Sequence, residues 1–128
     1  MTRVLVLAGG LSAEREVSQR SGQAVVRALQ IAGYTVAACD PAQQLPVWDC
    51  NAVFVALHGV GGEDGSIQAT LDTIGIPYVG SGSKASEICY DKWLYRQTIH
   101  SQLQMPDGDL VTLHRELKLN FFEIHITI

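Results

Sequence analysis

The sequence predicts an α/β fold: an open parallel sheet in the strand order 2-1-3-4, with helices on both faces. Three observations predict it. Val4-Leu-Val-Leu-Ala8 and Val53-Phe-Val-Ala-Leu57 are short apolar runs without alternation, the habit of strands covered on both sides in a parallel sheet. Each run gives way at once to a glycine-rich polar loop, at Gly9-Gly10 and at His58-Gly59. Helical periodicity fills the intervals, so strand, loop and helix alternate, as right-handed crossovers require.

Taken in order, Val4 to Ala8 is the first strand, and the loop Leu11-Ser12-Ala13-Glu14-Arg15-Glu16 follows it. From Val17 the apolar or small positions 17, 21, 24, 25, 28, 29 and 32 form a helical stripe that Gly33 closes as a C-terminal cap. Thr35 to Cys39 is a second strand, ended by Asp40-Pro41, and a polar, proline-broken connection runs to Asn51. Val53 to Leu57 is the third strand, with Val55 expected to be buried on both sides. Ile67, Leu71 and Ile74 mark a short helix stopped by Gly75, and Ile76 to Val79 is the fourth strand. Ser83 is placed to cap the next helix, which runs through Ile88, and Asp91 to cap another. That helix turns Leu94, Thr98 and Ile99 inward and reaches Leu103 before Met105-Pro106 breaks it. Beyond it, Phe122, Ile124, Ile126 and Ile128 alternate with polar residues as a strand does.

Composition narrows the function classes. At 128 residues the chain has the size of one domain, with 47% hydrophobic and 17% charged residues, an ordinary globular balance. A net charge of -4, with nine Lys and Arg in no cluster, argues against nucleic acid as a partner. No apolar run approaches the roughly 18 residues of a membrane span, and Val4 to Ala8 is too short for a signal-peptide core, so no membrane partner and a cytoplasmic location are expected. Cys39, Cys50 and Cys89 lack C-x-x-C spacing and read as buried, reduced thiols, with no metal site.

In the order 2-1-3-4 the chain winds one way from strand 1 and the other way from strand 3. The loops after those strands part there and leave a crevice, where ligands bind in such sheets. Glu14 and His58 are expected to converge in it. The residues around that crevice resemble a known family. Gly9-Gly10-Leu-Ser12-Ala-Glu14-Arg-Glu16-Val17-Ser18, then Ala56-Leu-His58-Gly-Val-Gly-Gly-Glu63-Asp64-Gly65, then Gly80-Ser-Gly82 with Ala85-Ser86 and Asp91-Lys92, are similar to the amino-terminal domain of bacterial D-alanine-D-alanine ligases.

The resemblance covers about residues 4 to 106. It implies the pre-ATP-grasp, Rossmann-like fold and an ATP-dependent ligation that makes the peptidoglycan dipeptide through an acyl phosphate on the first D-alanine. D-alanine and ATP are then the partners, Mg2+ the accompanying ion, and a homodimer is admissible. By the same resemblance Glu14 holds the ammonium of the first D-alanine, a task suited to a carboxylate. His58 stands beside that substrate and offers an imidazole N–H to its carboxylate. These two are the catalytic pair the resemblance implies. Glu63 either orients His58 in the substrate site or caps the helix starting near Gly65. Lys92 reaches the nucleotide phosphates.

Plainer readings stand beside these. Glu14 could be a solvated loop acid, His58 a strand-end ring bonded to backbone, and Lys92 an exposed helix lysine. Ser18 reads as an N-cap rather than a ligand group, and Arg15 and Glu16 as solvated. Two other classes also fit: a non-catalytic binding or dimerisation module, and a nicotinamide-dinucleotide module built on Gly80-x-Gly82-x-x-Ala85. The second lacks an acid about 20 residues on and follows the fourth strand rather than the first. Residues 1–106 are expected to form the amino-terminal domain, and 107–128 a tail at the start of a missing or truncated ATP-grasp region that would hold most of the ATP and Mg2+ contacts. The chain by itself is expected to be inactive as a ligase.

Overall fold

A computed structural model describes residues 2–105. The expected domain limit at 106, the break at Pro106 and the alternating segment Phe122 to Ile128 lie outside those residues. The element order is β1 (Arg3–Leu7), α1 (Arg15–Ile31), β2 (Thr35–Cys39), β3 (Ala52–Val55), α2 (Ser66–Ile74), β4 (Tyr78–Val79), α3 (Ser83–Tyr90) and α4 (Lys92–Ile99). The strands form one parallel sheet in the order β2-β1-β3-β4, as the sequence predicts.

The centre of the sheet is β1, and its side chains divide between two layers. Leu5 and Leu7 join Cys39, Val53, Leu57 and Leu71 of α2 in the main core, with Trp48, Ile67, Ile76 and Tyr78 packed around them. Val6, one residue out of phase and fully buried, lies on the opposite face beneath α1. Each fully buried Val or Leu here contributes about 1.5–3 kcal/mol. The helices therefore cover both faces.

The inner line of α1 differs from the expected stripe. Ser18 and Gly22 are buried and Val25, Val26 and Leu29 half-buried, whereas Val17, Ala24, Ala28 and Ala32 are exposed. The reason is close approach: a Cβ at Gly22 would overlap the Ala8 methyl, so the helix meets the sheet at its smallest residue rather than its largest.

Other expectations are corrected at the element ends. Val53 is fully buried, but Val55 is only half-buried. With two residues, β4 pairs only Val53 and Phe54, which leaves Val55 without a neighbouring strand on that side. Ser83 does not cap α3. Gly82 holds the cap position, and the Ser83 hydroxyl donates to Asp72 Oδ2 at 2.6 Å while Tyr78 donates to Oδ1 at 2.9 Å, tying the β4–α3 turn to α2. Those two donors hold the Asp72 carboxyl below its ordinary range. Asp91 caps α4 as expected, accepting from the backbone N–H of Trp93 and Leu94 at 2.9 and 2.8 Å. The helix stops at Ile99 rather than Leu103, and Thr98 is exposed, its hydroxyl bonded to the Leu94 carbonyl.

Among the cysteines only Cys39 is buried. Cys50 is half-buried, with its thiol pushed up mainly by desolvation, and Cys89 is exposed on α3. Among the described residues no helix is long and apolar enough to cross a membrane.

Candidate functional site

Because β1 and β3 are neighbours, the loops that leave them stand side by side, and hydroxyl groups join them. The Ser12 hydroxyl donates to the His58 carbonyl at 2.7 Å and accepts from the Glu14 N–H at 3.1 Å. Glu14 Oε1 lies 3.3 Å from where a Cβ would stand on Gly59, and Ser12 Oγ lies 3.2 Å from the same point. Gly59 has φ +67, so a side chain there would be strained as well as crowded. Glu14 is exposed and His58 half-buried, and the Glu14 carboxylate stands against Gly59, the residue that follows the imidazole.

Both ring nitrogens of His58 have partners. Nε2 lies 3.1 Å from the Ser21 hydroxyl on α1, and Nδ1 lies 3.4 Å from Glu63 Oε1. Glu63 Oε2 also accepts the Gly59 N–H at 3.1 Å. Of the two expected tasks for Glu63, the contacts match orientation of His58. The helix-start task falls to Asp64, which accepts from the Ser66 N–H at 3.0 Å and from its hydroxyl at 2.6 Å. Desolvation raises the Asp64 carboxyl, but those bonds and the Gly61 N–H outweigh it and the net shift is downward.

Beneath the opening, Ser18 is fully buried inside α1 and is not an N-cap. Its hydroxyl accepts the Gly9 N–H at 2.8 Å and donates to the Ala56 carbonyl at 2.7 Å, bolting the end of β1 to the residues that follow β3. Arg15 is not a solvated side chain either. It pairs with Asp40 at the end of β2 and donates to the Gly10 carbonyl at 2.6 Å. Asp40 also accepts the N–H groups of Gly10 at 2.9 Å and Ala42 at 3.0 Å. Glu16 is exposed, as expected.

Desolvation raises the Asp40 carboxyl, but the Gly10 and Ala42 donors and the Arg15 guanidinium outweigh it, and the group is held below the ordinary carboxylate range. A carboxyl depressed on folding stabilises the fold above its unfolded value and loses that contribution as pH falls through the folded one. Asp40→Asn is therefore expected to cost about 1.5–3 kcal/mol at neutral pH. It should also flatten the fall in Tm below about pH 4, with the Asp64 and Asp72 components remaining. Thermal melts from neutral to acid pH check both effects.

Lys92 is exposed at the first position of α4, which packs on α3, and α3 on α2. It is not brought to the Glu14–His58 opening by any described contact. Among the described residues no three His, Cys, Asp or Glu side chains gather as a metal site. Ser12, Ser18, Ser21, Arg15 and Asp40 are the functional neighbours that sequence reasoning passed over. Ser18 and Ser21 stand at i, i+3 on one side of α1, a spacing common on any helix and so no signal by itself.

The family model described as "D-ala D-ala ligase N-terminus" matches residues 38–81, which take in β3, α2 and β4. The D-alanine–D-alanine ligase of Halorhodospira halophila is 48% identical over 113 residues, covering 86% of this chain and 37% of that protein. The ligase of Azoarcus is 44% identical over 132 aligned positions, covering 94% and 43% respectively. Among solved structures, the D-alanine–D-alanine ligase from Bacillus anthracis complexed with ATP superposes with a TM-score of 0.73 at 32% identity, over 84% of this chain and 39% of that one. The chain thus spans well under half the length of the curated relatives it matches. Sequence and fold together place this chain in the D-alanine–D-alanine ligase family, as a counterpart of its amino-terminal domain.

Proposed function

We propose that this chain forms the amino-acid-receiving part of an ATP-dependent D-alanine–D-alanine ligase, working in the cytoplasm on the peptidoglycan dipeptide. The observation that carries the reading is the Ser12 hydroxyl, which holds the Glu14 backbone and the His58 carbonyl together and so brings the loop that bears the carboxylate against the loop that bears the imidazole. In this reading Glu14 takes the ammonium of the first D-alanine, His58 stands beside its carboxylate, and Glu63 steadies the ring. Residues 1–106 are the amino-terminal domain, and 107–128 lead towards an ATP-grasp region.

The crevice does not fit a nucleotide or its magnesium. Acids, hydroxyls and one imidazole converge there, and Arg15, the cation close by, is committed to Asp40. Such a set suits an ammonium rather than a polyphosphate. ATP and Mg2+ are accordingly assigned to other parts of the ligase, with Lys92 carried only by the resemblance as a phosphate contact. The dinucleotide reading gains nothing, since its glycine loop follows β4 at the sheet's end.

D-alanine, ATP and NAD added separately to thermal melts of the chain test the assignment. D-alanine at high concentration is expected to raise Tm slightly, because an open crevice leaves the ligand largely hydrated. A rise with NAD and none with D-alanine would overturn the reading.

A further inference from the structure

The contacts of His58 fix more than the direction of its ring. An ionised carboxylate can only accept hydrogen bonds, so Nδ1, facing Glu63 Oε1 at 3.4 Å, must carry the proton of that contact. A neutral imidazole has one N–H, which leaves Nε2 as a bare lone pair, and its neighbour at 3.1 Å is the Ser21 hydroxyl, able to rotate and donate. Glu63 is itself held at its other oxygen by the Gly59 N–H at 3.1 Å, so it cannot turn away without leaving a loop amide unpaired.

We propose that Ser21 is a positioning residue that, with Glu63, holds neutral His58 in the Nδ1–H tautomer with Nε2 as an acceptor. Free histidine has no such partners, and without Ser21 nothing described fills the Nε2 side. The consequence deepens the functional reading above and rests on it. In that neutral form the ring has no N–H left for a ligand. A substrate carboxylate gains a ring donor at Nε2 only when the imidazole takes a second proton there and the Ser21 hydroxyl gives up its place on Nε2 to the ligand. The half-buried Ser21, which no motif singled out, thus decides which face of the imidazole the ligand meets.

The test is nitrogen-15 NMR of the ring nitrogens in the full 128-residue chain at about pH 8, where an ordinary imidazole is neutral. A His58→Gln sample identifies the His58 signals among those of the four histidines. The expected result is a protonated Nδ1 and an unprotonated, hydrogen-bonded Nε2. Ser21→Ala should move the Nε2 signal and let the other tautomer appear, and Ser21→Thr should restore the wild-type pattern. A wild-type ring protonated at Nε2 would overturn the proposal, and so would a folded Ser21→Ala variant with unchanged ring signals. Because the wild-type tautomer is read without ligand and without any Ser21 variant, a ring protonated at Nε2 overturns the proposal even where Ser21→Ala fails to fold, and Ser21→Thr then tests the hydroxyl. The wild-type spectrum also stands apart from whether D-alanine binds.

Discussion

Supplied with ATP, magnesium and D-alanine, the purified chain is expected to form no dipeptide above background, at least about three decades below a complete ligase. The obstacle is charge. Transfer of a phosphoryl group to a carboxylate gathers negative charge on the phosphates, and positioned cations and metal offset it. The Glu14–His58 opening has carboxylates instead, and the guanidinium of Arg15 is already paired with Asp40. Dipeptide and phosphate release, measured beside a complete ligase, check the expectation. A comparable rate would show that the catalytic groups lie within these residues.

The second large effect concerns folding. Val53→Asp is expected to abolish the cooperative melt. Val53 is fully buried in β3, in the core with Leu5, Leu7 and Leu71. A carboxylate placed there has no described partner, and the penalty for burying an unpaired ion is several kcal/mol. A domain's whole stability is about 5–15 kcal/mol. Leu45→Asp, at a position 89% exposed, should leave the melt intact and serves as the control. Circular dichroism melts of the two variants separate the cases, and a cooperative Val53→Asp transition would refute the central place of β3.

The strand order was legible because it follows from a pattern that sequence displays. Unbroken apolar runs at Val4 and Val53 demanded cover on both faces, and alternation with helices dictated parallel pairing. The convergence of Glu14 and His58 followed from that order, since adjacent parallel strands bring their loops together. The polar supports beneath them were not legible. Ser18 and Ser21 look like ordinary helix serines, and only the closeness of α1 to the sheet, permitted by Gly22, brings their hydroxyls to Gly9, Ala56 and His58. Arg15 and Asp40 likewise lie 25 residues apart and meet only because β2 runs beside β1. Hydrophobic periodicity reports which faces are covered, not which backbone groups a hydroxyl will satisfy. It also misplaced the inner line of α1, because it favours large residues where the contact required the smallest.

In the proposed reading the β1 and β3 loops together make a receptor for an amino acid's ammonium, with Glu14 supplying the charge. The most direct measurement is the apparent constant for the first D-alanine in a complete ligase carrying this domain, before and after Glu14→Gln. Loss of a charge-assisted hydrogen bond costs about 1.5–3 kcal/mol, so that constant should rise by one to two decades while the constant for ATP stays near its original value. A constant for D-alanine that did not change, in a variant that melts like the wild type, would contradict the account.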